Sequence, residues 1–183
     1  AEPADDGHNH SHAAADDHAA SGLDRRSLLT AAADALTGVG FGLLLVAGFA
    51  LRGGVDWRRG LAWGVAGFMA FNLAPALGLP PELPGDFAAP LADRQFWWLF
   101  AAVATAGGLA LAAFAQSWPW RAAGLVLIAL PHIVGAPSPD EHGGLAPDDL
   151  RWSFQIAALA TMALFWVVLG GLAGYFYRRF ESA

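Results

Sequence analysis

Histidines at positions 8, 10, 12 and 18 stand in a run of alanine, aspartate, glycine and serine at the start of the chain. The order is Asp5-Asp6-Gly7-His8-Asn9-His10-Ser11-His12, followed by Asp16-Asp17-His18. Alternating imidazoles beside carboxylates suit borderline divalent ions such as cobalt, nickel or zinc. The alternative is a solvated low-complexity stretch without a ligand. Copper(I) fits less well, because it prefers sulfur and the chain has no cysteine and only Met69 and Met162.

A second set of candidates lies where apolar segments end. One exit carries Asn72, Pro75, Gly78, Pro80, Pro81 and Glu82; the other carries Pro131, His132, Gly135, Pro137, Pro139, Asp140, Glu141 and His142. Each places a proline inside the apolar segment, then a glycine, then a proline-rich stretch with acid. Each segment also opens on a Trp-Arg pair, Trp57-Arg58 and Trp120-Arg121. The likeness suggests a parallel repeat of two helical hairpins, against the simpler reading of two kinked spans. Proline removes a backbone donor and frees a carbonyl one turn earlier. Freed carbonyls at Pro75 and Pro131, with His132, Glu82 and His142 as side-chain donors, could hold a cation as broken transporter helices do. His132 could instead sit at the interface, bonded to a loop carbonyl. Asp34 is a further pathway candidate, either paired with an arginine or accepting a proton. Asn72 and Gln155 also suit the role of interhelical hydrogen-bonding glue.

The elements that position these groups follow from composition. The chain has 183 residues, a net charge of -6, 56% hydrophobic residues and only 14% charged ones. Soluble domains carry about 25% charge, and the mean hydropathy of +0.42 also points to a membrane protein. Residues 1–24 lack apolar periodicity and read as a flexible His/Asp-rich tail. Residues 25–183 read as a membrane domain with five apolar runs, at 28–51, 60–79, 96–115, 119–135 and 154–176. About 20 residues cross the hydrocarbon core, with about 17 as the lower limit, so the fourth run is marginal. Backbone polar groups must be satisfied internally in lipid, so the runs are predicted as helices. Trp57, Trp97, Trp98, Trp118, Trp120 and Trp152 fall near run ends, where indole prefers the headgroup region.

All ten basic residues are arginine. Arg25, Arg26, Arg94 and Arg151 fall on one predicted side, and Arg52, Arg58, Arg59, Arg121, Arg178 and Arg179 on the other. The excess places the C-terminus in the cytoplasm and the histidine tail outside. The acidic balance argues against nucleic acid as a partner. Gly38/Gly42, Gly60/Gly64 and Gly170/Gly174 have the spacing that lets helices approach closely, within the bundle or against a partner. No phosphate-binding glycine loop, nucleophile triad or zinc-protease pattern occurs, so an enzyme is not expected, nor an organic cofactor. The chain opens on Ala, so a signal peptide or a further span is expected to precede it.

The chain resembles the CbtA family, predicted cobalt transporter subunits of bacteria. The carrying segments are Leu36-Thr37-Gly38-Val39-Gly40-Phe41, Trp57-Arg58-Arg59-Gly60-Leu61, Ala74-Pro75-Ala76-Leu77-Gly78-Leu79-Pro80-Pro81-Glu82-Leu83-Pro84-Gly85 and Pro131-His132-Ile133-Val134-Gly135-Ala136-Pro137. With the His-rich stretch ahead of them, they run through nearly the whole chain in order, and Pro-Pro-Glu-Leu-Pro-Gly is the most specific. The resemblance implies an inner-membrane protein acting with a small His-containing partner, CbtB, in cobalt supply for cobalamin synthesis.

The expectation is an all-α polytopic membrane bundle of five transmembrane helices. Its expected role is a component of uptake for cobalt or another divalent transition metal. The rival is an accessory subunit of a larger membrane complex, its histidine tail incidental.

Overall fold

The computed structural model describes residues 24–139 and 143–181, and within them the chain is helical apart from loops and one isolated β-bridge. The histidine tail and His142 lie outside the described residues. Six α-helices are present: α1 (Arg25–Arg52), α2 (Trp57–Phe68), α3 (Ala74–Ala76), α4 (Leu91–Phe114), α5 (Trp118–Val134) and α6 (Asp148–Glu181). A π-helical turn, Met69–Leu73, joins α2 to α3. The chain divides into two compact units, Ala1–Phe41 and Gly42–Ala183, and α1 runs from one into the other.

In the first unit α1 begins behind Asp24, whose Oδ1 accepts the Ser27 N–H at 2.7 Å. That hydrogen bond satisfies one of the orphan donors of the first turn and holds the Asp24 carboxyl below its ordinary pKa. Asp34 is exposed on this part of α1.

Three helices, α1, α4 and α6, are long and apolar enough to cross a membrane. At 1.5 Å per residue they extend about 42, 36 and 51 Å. The fourth predicted run forms α5, a shorter apolar helix of 17 residues. The second is not one regular helix. Pro75 has no N–H to offer the carbonyl of Phe71, and its ring would press on that carbonyl. The chain widens into the π turn just ahead of it, where the Ala74 N–H reaches back to the Met69 carbonyl. The expected five spans thus resolve into three long helices, one shorter one, and a helical path over residues 57–76 broken by the π turn.

Two close helix pairs form the second unit. In the first, α2 lies against α6 through two of the three predicted glycine pairs, Gly60/Gly64 and Gly170/Gly174. A Cβ on Gly60 would stand 2.3 Å from the Gly170 carbonyl oxygen, and one on Gly64 would stand 2.3 Å from that of Trp166. Only hydrogen at those positions permits this approach. In the second pair, α4 meets α5 at Gly108 and Gly124, where a Cβ on Gly108 would lie 2.5 Å from the Gly124 carbonyl. Trp166 and Phe49 are fully buried in this unit. Phe49 takes the edges of Trp63 and Tyr177 at centroid distances of 5.7 and 5.6 Å.

Helix ends are specified locally. Asp56 caps α2 by accepting the Arg59 N–H at 2.9 Å, and this bond keeps the Asp56 carboxyl below its usual range. Acids in the first turn of α6 (Asp148, Asp149) and arginines in its last turn (Arg178, Arg179) complement its dipole. Pro131 is followed by the end of α5 at Val134, and Gly135 turns the chain away with φ 87° while its N–H caps the Pro131 carbonyl at 3.0 Å.

Candidate functional site

The stretches following α3 and α5 come together at one end of the second unit. The Phe87 N–H donates to the Gly143 carbonyl at 3.0 Å, and Asp86 pairs with Gly144 as an antiparallel bridge. A Cβ on Gly144 would stand 2.3 Å from Asp86 Oδ1, so the bridge depends on glycine there.

Asp86 organises the junction. Its side chain is only 6% exposed, and its oxygens accept the Leu83 N–H at 2.8 Å and Arg151 Nε at 3.2 Å. Arg151, on the first turn of α6, also donates to Asp148 and to the Ala146 carbonyl. A buried carboxylate requires such partners, because desolvation is otherwise strongly unfavourable. Nearby, Glu82 Oε2 accepts Arg94 NH2 at 2.7 Å, tying the Pro-Pro-Glu loop to the start of α4. The Nε of Arg94 is buried without a partner.

Between the two exits lies a cavity of about 240 Å³. Glu82 and Asp86 line it from the first exit, Pro137 and Ser138 from the second, and Arg151 and Gln155 from α6. It offers carboxylate, hydroxyl, amide and backbone oxygens, all hard donors. Both carboxylates are engaged by guanidinium groups, so a cation entering here would have to displace Arg94 or Arg151. Among the described residues no group of three or more His, Asp or Glu side chains converges as a metal site.

The remaining sequence candidates take other positions. His132 packs its ring edge-on to Trp97, 6.1 Å between centroids. Trp97 also closes over Gly78, where a Cβ would meet its ring at 2.3 Å. Trp97 therefore stands between His132 and a wall of the cavity, and its buried Nε1 has no partner. Asn72 projects from the π turn, its Oδ1 accepting Trp166 Nε1 at 2.7 Å. Pro75 and Pro131 are both buried. Sequence analysis gave Arg151 only as a charge on one predicted side and Gln155 only as glue, and neither was set beside Asp86. Their joint position depends on contacts between distant residues that no local spacing signals.

Helices of membrane-spanning length, glycine-mediated contacts and a polar junction beside two proline-containing helical segments are the features of a multi-pass membrane protein. The chain belongs to the CbtA family, described as probable cobalt transporter subunit, which it matches over residues 1–178. No curated protein and no solved structure matches it.

Proposed function

We propose that this chain is the membrane component of a divalent cation uptake system for cobalt, and that the junction of the two proline-rich exits is where the ion enters. The observation that carries the reading is the shared cavity lined by Glu82 and Asp86. The residues 57–76 and α5 complete a five-span bundle in the inner membrane, with the junction and the histidine tail outside and Arg178 and Arg179 in the cytoplasm. His8, His10, His12 and His18 collect ions, and His142 serves as a further imidazole donor. Glu82 and Asp86 exchange their arginine partners for the cation, and His132 serves as a deeper ligand once Trp97 moves aside. Oxygen and imidazole together suit cobalt better than magnesium. Asn72, Pro75 and Pro131 shape the path below through the widened turn and freed carbonyls; Asp34 is a further candidate to accept a proton. A CbtB-type subunit completes the system, and its product supplies cobalamin synthesis. Inward movement of a dication draws about 4.6 kcal/mol from a 100 mV potential, twice the value per charge.

Cobalt uptake by cells carrying Glu82→Gln, Asp86→Asn or His132→Ala tests this. Each is expected to reduce uptake on the order of tenfold, the low end of what losing a group around a metal costs, with normal amounts of protein in the membrane. Normal uptake in all three overturns the entry site and favours the accessory-subunit reading. The pairing of both carboxylates with arginine is the observation in favour of that second reading.

A further inference from the structure

A larger cavity, about 630 Å³, opens at the other end of the second unit. Its walls come from the last turns of α1, from α2 and the π turn, and from the second half of α4, with Trp166 of α6 also lining it. Leu44, Ala66, Phe71, Ala110 and Phe114 make it apolar along its length, while Arg52 and Arg59 stand at one end. The Arg52 guanidinium lies over the Phe114 ring, 4.1 Å from its centroid. Arg59 donates one N–H to the Gly54 carbonyl, and among the described residues no carboxylate forms an ion pair with Arg52 or Arg59. The acid nearest in sequence, Asp56, accepts the Arg59 backbone N–H and faces Arg178 at 3.9 Å.

We propose that this groove binds one anionic phospholipid, with an acyl chain along the apolar walls and the phosphodiester between Arg52 and Arg59. Charge complementarity selects the occupant. The groove is apolar except where two guanidinium groups, neither in a salt bridge among the described residues, meet its mouth, which is the distribution of charge in a phospholipid. Guanidinium recognises phosphate with parallel N–H donors, and basic pockets between membrane helices hold anionic headgroups. Trp63 and Phe114, 5.9 Å apart, lie at the same end, where aromatic rings favour the headgroup level. A partner helix would need an acidic terminus to serve these arginines equally.

The full chain, purified in detergent, is titrated with phosphatidylglycerol, phosphatidylcholine and inorganic phosphate, with bound lipid read by native mass spectrometry and by the shift in melting temperature. Phosphatidylglycerol is expected to bind and stabilise, and the other two to have little effect. Arg52→Gln and Arg59→Gln should each weaken that binding about fivefold. Ala110→Phe, which fills the groove, should abolish it; the two surface arginine variants carry the test if that one misfolds. Equal binding of phosphatidylcholine, equal stabilisation by inorganic phosphate, or unchanged affinity in both arginine variants overturns the proposal. A photo-crosslinker at Ala110 that captures a polypeptide instead of lipid also overturns it.

Discussion

Arg151 Nε donates to Asp86 Oδ1 at 3.2 Å, joining the first turn of α6 to the loop that follows α3, 65 residues earlier in the chain. The pair fastens the two proline-rich exits around their common cavity. Arg151→Ala leaves the Asp86 carboxylate buried without its guanidinium partner, which costs more than removing both members. Arg151→Ala is therefore expected to lower the melting temperature more than Arg151→Ala with Asp86→Ala. Thermal unfolding of the two variants and Asp86→Ala in detergent measures the coupling.

The α2–α6 contact tolerates only hydrogen at Gly64, where a Cβ would stand 2.3 Å from the Trp166 carbonyl. Gly64→Leu should destabilise by at least about 1–3 kcal/mol, the usual penalty of overpacking. At Gly40 nothing lies within 4 Å of an added Cβ. Gly40→Ala is expected to stabilise by about 0.5–1 kcal/mol, because alanine loses less entropy in a helix. Denaturation of the two variants side by side gives opposite signs.

The π turn is held to α6 by the 2.7 Å hydrogen bond from Trp166 to Asn72. Trp166→Phe removes the donor and leaves the Asn72 carbonyl short of it, at a cost of about 1–3 kcal/mol. Adding Asn72→Leu should recover part of the loss, since no unsatisfied acceptor then remains. Chemical denaturation of the single and double variants checks the order.

Cobalt binding by the tail is expected to require neutral imidazole. Affinity should therefore fall as pH drops through about 6.5, where histidine gains its proton. Isothermal titration of the full chain at several pH values reads this. Replacing His8, His10, His12 and His18 by alanine should remove the pH-dependent component.

Single cysteines at Ser11, Ala88 and Ser182, treated with an impermeant thiol reagent in spheroplasts, report orientation. Labelling at Ser11 and Ala88 but not at Ser182 is the expected pattern. The reverse would place the acidic junction on the cytoplasmic side, away from incoming cations.

Residue pattern alone marks a helical membrane protein, because hydrophobic length and the need to satisfy the backbone in lipid are local properties. It also marks Pro75 as an interruption and Gly60, Gly64, Gly170 and Gly174 as points of close approach, since missing donors and missing side chains act where they stand, whereas α5 runs on through Pro131 to Val134. Packing between distant residues sets which helices meet. The Gly108–Gly124 contact carries no GxxxG spacing, and the Asn72–Trp166 bond joins residues 94 positions apart. It also sets which side chains meet near the junction: Asp86 with Arg151, Glu82 with Arg94, and His132 with Trp97 instead of the cavity itself. Local pattern cannot select these partners, because every arginine can pair with any carboxylate until helix packing and the desolvation of Asp86 leave one arrangement that satisfies it.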